Sequence, residues 1–268
     1  MITIYPHNTP IIAHIFNYPI RYYGLIMAIV FLVGVLFSYY LFKKKYNNAT
    51  ADLFFDYAPI LIISSIIGAR LFYVFASWEF YSDNLIEIFM INHGGLSIFG
   101  SIIAGLATIF IISKVKKFDF KKHLDVIAVV FPLCQAIGRF GNYFNQEAYG
   151  APANGFIRLF VDEKFRYAQY KNIEFYHPTF LYESFFDLII FFILMRLFFT
   201  KKQLNSGVIS CLYLIFYAVV RFFIESIRLD SVLNVGNIPI VQIICIIVFI
   251  VSLFVLYFIC RNKNLQYW

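Results

Sequence analysis

The sequence predicts an all-α polytopic membrane protein with about seven transmembrane helices and a small head domain outside the bilayer. Hydrophobic residues make up 61% of the 268 residues, and the mean hydropathy is +0.75. Charged residues are only 14%, whereas a soluble domain has about 25%. The missing charge indicates that most of the surface faces lipid.

Seven apolar segments are long enough to cross a bilayer, since a spanning helix needs about 20 mostly apolar residues. They lie at 22–42, 53–78, 96–113, 124–144, 179–199, 208–227 and 239–260. The connection at 145–178 is long and carries mixed charge, so we expect it to fold as an outward head insertion. The whole chain, 1–268, is expected to form a single membrane-embedded domain without an internal repeat.

The basic residues between these segments predict the orientation of the chain. Lysines follow the first, third and fifth segments, and basic residues also follow the seventh, at 43–45, 114–122, 201–202 and 261–263. The positive-inside rule places these clusters in the cytoplasm, with the N-terminus outside and the C-terminus inside. Residues 1–20 have no basic n-region, so no cleavable signal peptide is predicted and the first span acts as the insertion signal.

Several kinds of partner are excluded by the same pattern. The net charge of +7 is distributed as a membrane topology signal, so no nucleic-acid partner is expected. The cysteines lie in apolar runs without metal-ligand spacing, which predicts neither a disulfide framework nor a metal site. These cysteines are Cys134, Cys211, Cys245 and Cys260. No nucleotide-binding motif is present, and we expect no cofactor.

A polar segment at 138–150 interrupts the end of the fourth span. A charge near the bilayer centre costs at least about 2.5–3.5 kcal/mol, so such residues usually face inward and are paired. Arg139 and Asn142 share one helix face, and a guanidinium beside amides suits a phosphate. Gly138 and Gly141 are expected to let another backbone approach closely. The alternative is an interfacial helix end with a snorkelling arginine.

A second polar stripe lies in the sixth span. Tyr217, Arg221, Glu225 and Arg228 are spaced four, four and three residues apart, which places them on one side of a helix. Such a stripe more often lines an interior cavity than faces lipid. A purely structural ion pair between Arg221 and Glu225 is the alternative.

Charged residues in two other spans also need partners. Arg70, in the second span, can pair with a carboxylate, and structural and functional roles fit it equally well. Glu183 and Asp187 lie one turn apart in the fifth span, where Arg70, Arg139 and Arg221 are candidate partners. For Asp187 we expect the role of a structural counter-ion.

The start of the third span combines His93 with Gly94 and Gly95. The glycines allow a tight turn, while Gly100 and Ala104 form a small-residue pair typical of helix packing. His93 can titrate near neutral pH, although a lone interfacial histidine is more often structural. Together, the polar groups predict a basic cavity open to lipid, with a phosphate as its ligand. A transporter for an anionic substrate, a lipid scramblase and a structural bundle remain the other classes.

At these positions the chain resembles the bacterial prolipoprotein diacylglyceryl transferases. The most specific correspondence covers 135–142 and 145–150, which resembles the hallmark motif of that family. Further correspondences follow in order along nearly the whole chain, at 21–25, 68–70, 94–96, 177–183, Tyr217 with Arg221 and Glu225, and Gln242. The motif at 135–150 is specific by itself, and the ordered set strengthens the resemblance.

The resemblance implies a seven-helix enzyme of the bacterial cytoplasmic (inner) membrane with an outward active site. Such enzymes transfer the diacylglyceryl group of phosphatidylglycerol to the lipobox cysteine thiol of a prolipoprotein signal peptide. A thioether forms and glycerol phosphate leaves, which is the first step of lipoprotein maturation. The implied functional positions are Tyr23, Arg139, Asn142, Glu147, Gly150, Tyr217, Arg221 and Glu225.

Two departures from the family pattern affect the expected mechanism. Phe99 stands where the family often has a histidine that is cast as the base, and a phenyl ring cannot accept a proton. Val129 replaces a common proline, which affects only helix geometry. Glu147, Tyr23 and His93 therefore remain candidate proton acceptors, and we also expect His93 among the phosphatidylglycerol-binding residues.

The expected grip on the phosphate combines charge with hydrogen bonding. Arg139 and Arg221 would bind the departing phosphate, and Asn142 would donate a further hydrogen bond. Glu147 and Glu225 are expected to orient those arginines. A cationic pocket also lowers the pKa of a thiol, which is otherwise about 8.5.

Overall fold

A computed structural model describes residues 1–6, 9–16, 18–91, 94–200, 204–230, 234–236 and 238–264. The helices in these ranges are α1 (Tyr22–Lys45), α2 (Asn48–Ala76), α3 (Trp78–Ser82), α4 (Ile98–Lys116), α5 (Phe120–Asn145), α6 (Thr179–Phe198), α7 (Val208–Glu225) and α8 (Ile240–Asn264). The strands are β1 (Ile2–Ile4), β2 (Ile11–Ile15), β3 (Tyr18–Arg21), β4 (Ile157–Phe160), β5 (Phe175–Tyr176), β6 (Asn234–Val235) and β7 (Ile238–Pro239).

Within the described ranges, 6 helices are long and apolar enough to cross a membrane, namely α1, α2, α4, α5, α7 and α8. The remaining predicted span corresponds to α6, which has 20 residues but carries Glu183, Asp187 and Arg196. Its two acidic side chains are only 3% and 1% exposed, so α6 turns its acidic charges into the protein. The all-α polytopic class is confirmed, although the number of spans by length and composition is six and not seven.

The chain forms two compact units, Phe37–His123 and the combination of Met1–Leu36 with Leu124–Trp268. In the unit of Phe37–His123, α2 and α4 pack closely at Gly68 and Gly100. A Cβ atom added to Gly68 would lie 2.7 Å from the Gly100 carbonyl oxygen and also collide with Ala104. The predicted packing role of Gly100 and Ala104 is therefore confirmed.

The long connection at 145–178 contains a small sheet in the other unit. Strand β4 pairs antiparallel with β5 and parallel with β1, giving the order β1-β4-β5. Its core contains Tyr149, Leu159, Val161, Tyr176 and Phe180. The segment thus contains a sheet that recruits a strand from the N-terminus. That it forms an outward head insertion stays a prediction.

The N-terminal segment is attached to the end of α5 at two points. The hydroxyl of Tyr143 donates a 2.8 Å hydrogen bond to the Tyr5 carbonyl. The ring of Tyr22, the first residue of α1, stacks on Phe144 with 4.3 Å between centroids. Antiparallel strands β2 and β3 connect these points. These contacts hold the start of α1, and with it Tyr23, against α5.

A buried aspartate of α5 caps the beginning of α7. Asp125 is 5% exposed and accepts hydrogen bonds from the backbone N–H of Gly207, at 2.6 Å, and of Ser210, at 2.8 Å. The hydroxyl of Ser210 donates a third, at 2.8 Å. Free N–H groups at a helix N-terminus favour such a carboxylate. This cap fixes the helix that carries Arg221 and Glu225.

We expect Asp125→Ala to lower the free energy of unfolding by about 1–3 kcal/mol, because it leaves buried donors without an acceptor. Thermal unfolding of the purified protein in detergent measures the effect. Asp125→Asn keeps an acceptor oxygen and should cost less than the alanine variant. Equal unfolding temperatures for wild type and Asp125→Ala would contradict the capping role.

Candidate functional site

Three arginines converge on the buried carboxylate of Glu183 in α6. Arg139 of α5 pairs through Nη2 with Glu183 Oε2. The Nη1 atom of Arg221, in α7, lies 3.1 and 3.2 Å from the two carboxylate oxygens. Arg228, just after α7, donates from Nη1 to Oε1 at 2.9 Å. One carboxylate therefore organises cations from three parts of the chain, and we call these four residues the arginine site.

Two further carboxylates balance the charge of the arginine site. Glu225 Oε2 lies 2.6 Å from Arg221 Nη2, so the i, i+4 pair predicted from the spacing is confirmed. Asp230 accepts from Arg228 Nε at 2.7 Å and also pairs with Nη2. This two-point contact holds the plane of the Arg228 guanidinium.

The Arg228–Asp230 pair lies beyond the end of α7, and each partner favours the charged form of the other. Burial alone would raise the pKa of the Asp230 carboxyl, but the hydrogen bond and charge of Arg228 lower it overall. Burial alone would lower the pKa of Arg228, yet the Asp230 hydrogen bond and the charge of Glu183 raise it overall. Because Asp230 has a depressed pKa, its contribution to stability is lost only as the pH falls into the acidic range.

Asp187 lies one helical turn beyond Glu183 and is 1% exposed. Its charge interacts with those of Arg139, Arg221 and Glu183. Its Oδ2 atom has no hydrogen-bond partner among the residues that the structure describes. Of the three partners predicted for the acidic pair of α6, Arg139 and Arg221 contact Glu183 directly.

Arg70, the third predicted partner, has a different environment in the unit of Phe37–His123. Its guanidinium donates to the backbone carbonyls of Glu87, Ile88, Met90, Gly94 and Gly95. In place of the expected carboxylate, its described hydrogen bonds thus hold the chain that leads into α4. Gly94 and Gly95 have φ of +90° and +76°, which confirms the predicted turn.

Glu147 orients two amides at the end of α5. Its Oε1 atom accepts hydrogen bonds from Nδ2 of Asn142, at 3.0 Å, and of Asn145, at 3.2 Å. The expectation that Glu147 orients an arginine is not met by its described hydrogen bonds, in which two asparagines share its Oε1 atom. It remains partly open to solvent.

The turn that carries Glu147 has an unusual backbone. Gln146 and Ala148 have φ of +51° and +56°, which is uncommon for residues with side chains. The Gln146 amide donates to the Asp162 carboxylate at 2.7 Å and accepts from the Asp162 backbone N–H at 2.7 Å. Thr179 donates to the Ala148 carbonyl. The contact between Gln146 and Asp162 was not predicted, since no local sequence pattern links these two residues.

Two glycines of the polar motif differ in their surroundings. A Cβ atom on Gly141 would lie 2.6 Å from the ring of Tyr23, so the close neighbour is a side chain and not a backbone. Among the described residues outside the local helix backbone, no atom lies within 4 Å of such a Cβ on Gly138, and the predicted close approach there is wrong. The charges of Glu147 and Arg139 act on Tyr23. Tyr23 therefore lies near two of the predicted site residues.

Gly150 connects the polar motif to the segment after α7. Its backbone pairs with that of Arg228, and its N–H donates to the His177 carbonyl at 3.0 Å. A Cβ atom there would lie 2.8 Å from His177 Cβ and 2.9 Å from the Ile227 carbonyl oxygen. The observed reason for glycine is close packing beside the arginine site, and lipid contact at Gly150 stays a prediction.

Tyr217 lies beside the arginines, as its position on the stripe predicted. Its charge interactions include those with Arg139 and Arg221. Its ring stacks on Tyr213 with 5.8 Å between centroids, and the Tyr213 hydroxyl donates to Gln135 at 3.0 Å. The aromatic pair therefore forms part of the surroundings of the arginine site.

Two further positions were singled out from the sequence. His93 falls outside the described residues. Phe99 is in α4, in the unit of Phe37–His123, where it is half exposed and its ring centroid lies 6.3 Å from that of Phe72. Sequence reasoning named Glu183 as a charge that needed partners but did not place it among the site residues. It placed Arg228 on the polar stripe of the sixth span but did not list it among the site residues, and it missed Asp230 altogether.

The fold and the arginine site define a multi-pass membrane protein with a cluster of arginines and carboxylates buried among its helices. The profile described as prolipoprotein diacylglyceryl transferase matches residues 10–258. The chain belongs to the prolipoprotein diacylglyceryl transferase family, and it is a transferase.

Similar proteins cover nearly the whole chain. A phosphatidylglycerol–prolipoprotein diacylglyceryl transferase of Clostridium botulinum strain Langeland is 40% identical over 256 residues, covering 95% of this chain and 98% of the relative. The protein of that name from a Synechocystis species is 36% identical over 264 residues, covering 97% and 92%. One from Trichormus variabilis is 38% identical over 239 residues, covering 88% and 84%.

Proposed function

We propose that the chain transfers the diacylglyceryl group of phosphatidylglycerol to the cysteine thiol of a prolipoprotein. The products are a thioether-linked lipid on the protein and free glycerol phosphate. The observation that carries this proposal is the convergence of Arg139, Arg221 and Arg228 on Glu183 within the membrane-embedded part of a chain of this family. Guanidinium groups suit a lipid phosphate because they combine charge with several directed donors.

The reaction requires neutralisation of a growing negative charge. The cysteine sulfur forms a bond to a glycerol carbon, the bond from that carbon to the phosphate oxygen breaks, and the electron pair stays on the phosphate. Arg139 is placed to stabilise this charge. Its described contacts use one of its five N–H donors, for Glu183, and its side chain is 19% exposed. Arg221 and Asn142 complete the proposed phosphate grip.

Activation of the thiol requires loss of its proton. The nearby guanidinium groups lower the pKa of a bound thiol and so favour the thiolate. Glu147 is partly open to solvent and Tyr23 has charge interactions with it, so both stay candidates for accepting this proton. His93 stays a candidate from the sequence alone.

The same proposal includes an orientation. The lysine clusters at the C-terminal ends of α1 and α4 support a cytoplasmic location for those helix ends, with the N-terminus and the segment 145–178 on the outer side of a bacterial cytoplasmic membrane. The site would then receive a lipobox cysteine after its signal peptide has been exported. The C-terminus would lie in the cytoplasm.

The test is a transfer assay with purified protein in vesicles of phosphatidylglycerol that is labelled in its acyl chains. We expect label on a lipobox peptide, no label on the matched peptide with serine in place of cysteine, and one glycerol phosphate released per thioether. Uptake of an anionic solute into vesicles without labelled peptide would favour a transporter and overturn the proposal.

A further inference from the structure

We infer that Asp187 takes up a proton when the phosphate in the arginine site changes from a monoanionic diester to a dianionic monoester. The inference rests on the proposed function, because it assigns the proton that the transfer reaction releases. It makes Asp187 a proton acceptor of the site, which differs from the structural counter-ion expected from its position in the sequence.

The first support is the burial of Asp187 beside charged groups. The side chain is 1% exposed, and its Oδ2 atom has no hydrogen-bond partner among the described residues. The groups whose charges interact with it come from its own helix and from two neighbouring helices. They are Arg139 of α5, Glu183 of α6, and Tyr213, Tyr217 and Arg221 of α7.

The second support is the charge balance of the arginine site. Three guanidinium groups face three carboxylates that contact them, those of Glu183, Glu225 and Asp230. Asp187 is a fourth carboxylate, without a donor to its Oδ2 atom. With Asp187 ionised, these groups carry one net negative charge before a phosphate binds. Since buried charge without compensation is strongly disfavoured, each negative charge on the phosphate favours protonation of Asp187, and the dianionic monoester favours it more than the monoanionic diester.

The transfer step balances with Asp187 as the acceptor. The thiol S–H bond breaks, sulfur bonds to the glycerol carbon, and the carbon–oxygen bond to phosphate breaks with its electron pair left on oxygen. The proton given up by the thiol ends on Asp187, whether or not Glu147, Tyr23 or His93 accepts it first. The phosphate gains one negative charge and Asp187 loses one, so the summed charge of the arginine site, Asp187 and the ligand stays constant. Departure of glycerol phosphate then lets Asp187 release the proton.

A structural counter-ion and a proton acceptor predict different measurements. A counter-ion keeps its charge whichever phosphate is bound, so ligand binding would not change its protonation. A proton acceptor couples ligand charge to proton uptake. The number of protons bound with each ligand therefore separates the two roles, independently of turnover.

The experiment is titration calorimetry of the detergent-solubilised full chain at pH 8, in buffers with different ionisation enthalpies. The probes are glycerol phosphate and dihexanoyl phosphatidylglycerol. Glycerol phosphate is already a dianion at this pH, because the second pKa of such a monoester is about 6. We expect greater proton uptake with glycerol phosphate, approaching about one proton, than with the diester.

Asp187→Asn should abolish this uptake, and Asp187→Glu should restore it. Asp187→Asn should also lower kcat by about 10²-fold, with a smaller change in KM for phosphatidylglycerol. The matched control is Glu163→Gln, an exposed carboxylate in the segment 145–178, which should leave proton uptake and turnover unchanged.

Three results would count against the inference. Binding of glycerol phosphate to the wild-type protein without proton uptake would overturn the role of Asp187 and leave the phosphate site intact. Undiminished uptake in a folded Asp187→Asn protein would do the same. Failure of both phosphate compounds to bind would instead overturn the proposed phosphate site, and this inference with it.

Discussion

Arg139→Lys is expected to lower kcat/KM for diacylglyceryl transfer by about 10²–10³-fold, the range typical for loss of a group that stabilises transition-state charge. Lysine keeps the positive charge but not the planar array of donors. Arg139 contacts Glu183 through one nitrogen, and its side chain is 19% exposed, so its other donors are available to a phosphate. A lysine ammonium that pairs with Glu183 would have few N–H donors left to bind the phosphate. Arg139→Ala removes the charge as well and should cost more.

The matched control is Arg196→Lys, the same substitution at an exposed position in the last turn of α6. Both variants are assayed with labelled phosphatidylglycerol and a lipobox peptide after their unfolding temperatures have been compared. Arg196→Lys should act like the wild type. Undiminished transfer by Arg139→Lys and Arg139→Ala would remove Arg139 from the mechanism, whatever the activity of the control.

The features that could be predicted from the sequence are those set by local periodicity. Apolar segments of about 20 residues predicted the long helices, because only a helix satisfies its own backbone groups in lipid. The four-residue spacing in α7 predicted the contact between Arg221 and Glu225 for the same geometric reason. The acidic pair of α6 was recognised because charge in an apolar segment is costly.

The features that could not be predicted depend on residues far apart in the chain. Hydropathy shows that Glu183 needs a cation, but it does not show that three arginines would share its carboxylate. The parallel pairing of β1 with β4 joins Ile2 to Ile157, and short strands of this kind leave little local signal. Contact between Gln146 and Asp162 likewise arises only once the segment after α5 has folded back.

Among the described residues, six helices and not the predicted seven are long and apolar enough to cross a membrane. This difference arises from residues that belong to the surroundings of the arginine site. The charges that leave α6 outside the six helices include Glu183 and Asp187, which are buried beside the arginines. It is this charge, and not a lack of apolar residues, that separates α6 from the other long helices, because α6 contributes acidic residues to the arginine site. Charged residues within an apolar segment of a polytopic chain can thus indicate where function is concentrated.

Glu183→Ala is expected to lower the free energy of unfolding by about 3–5 kcal/mol, the range for removing one partner from a buried ion pair. The carboxylate is 3% exposed and contacts Arg139, Arg221 and Arg228, so its loss leaves like charges close together. This is a large part of a typical stability of about 5–15 kcal/mol. Transfer activity should be lost too, because the arginines would no longer be held in place.

Pairing Glu183→Ala with Arg228→Met separates charge repulsion from lost packing. If uncompensated positive charge causes the instability, removal of one guanidinium should restore part of the unfolding temperature, and the double-mutant cycle should show coupling. Glu163→Ala provides the surface comparison, since Glu163 and Lys171 are 68% and 63% exposed and such pairs contribute about 0–1 kcal/mol. A Glu183→Ala protein as stable as Glu163→Ala would show that Glu183 does not hold the arginine site together.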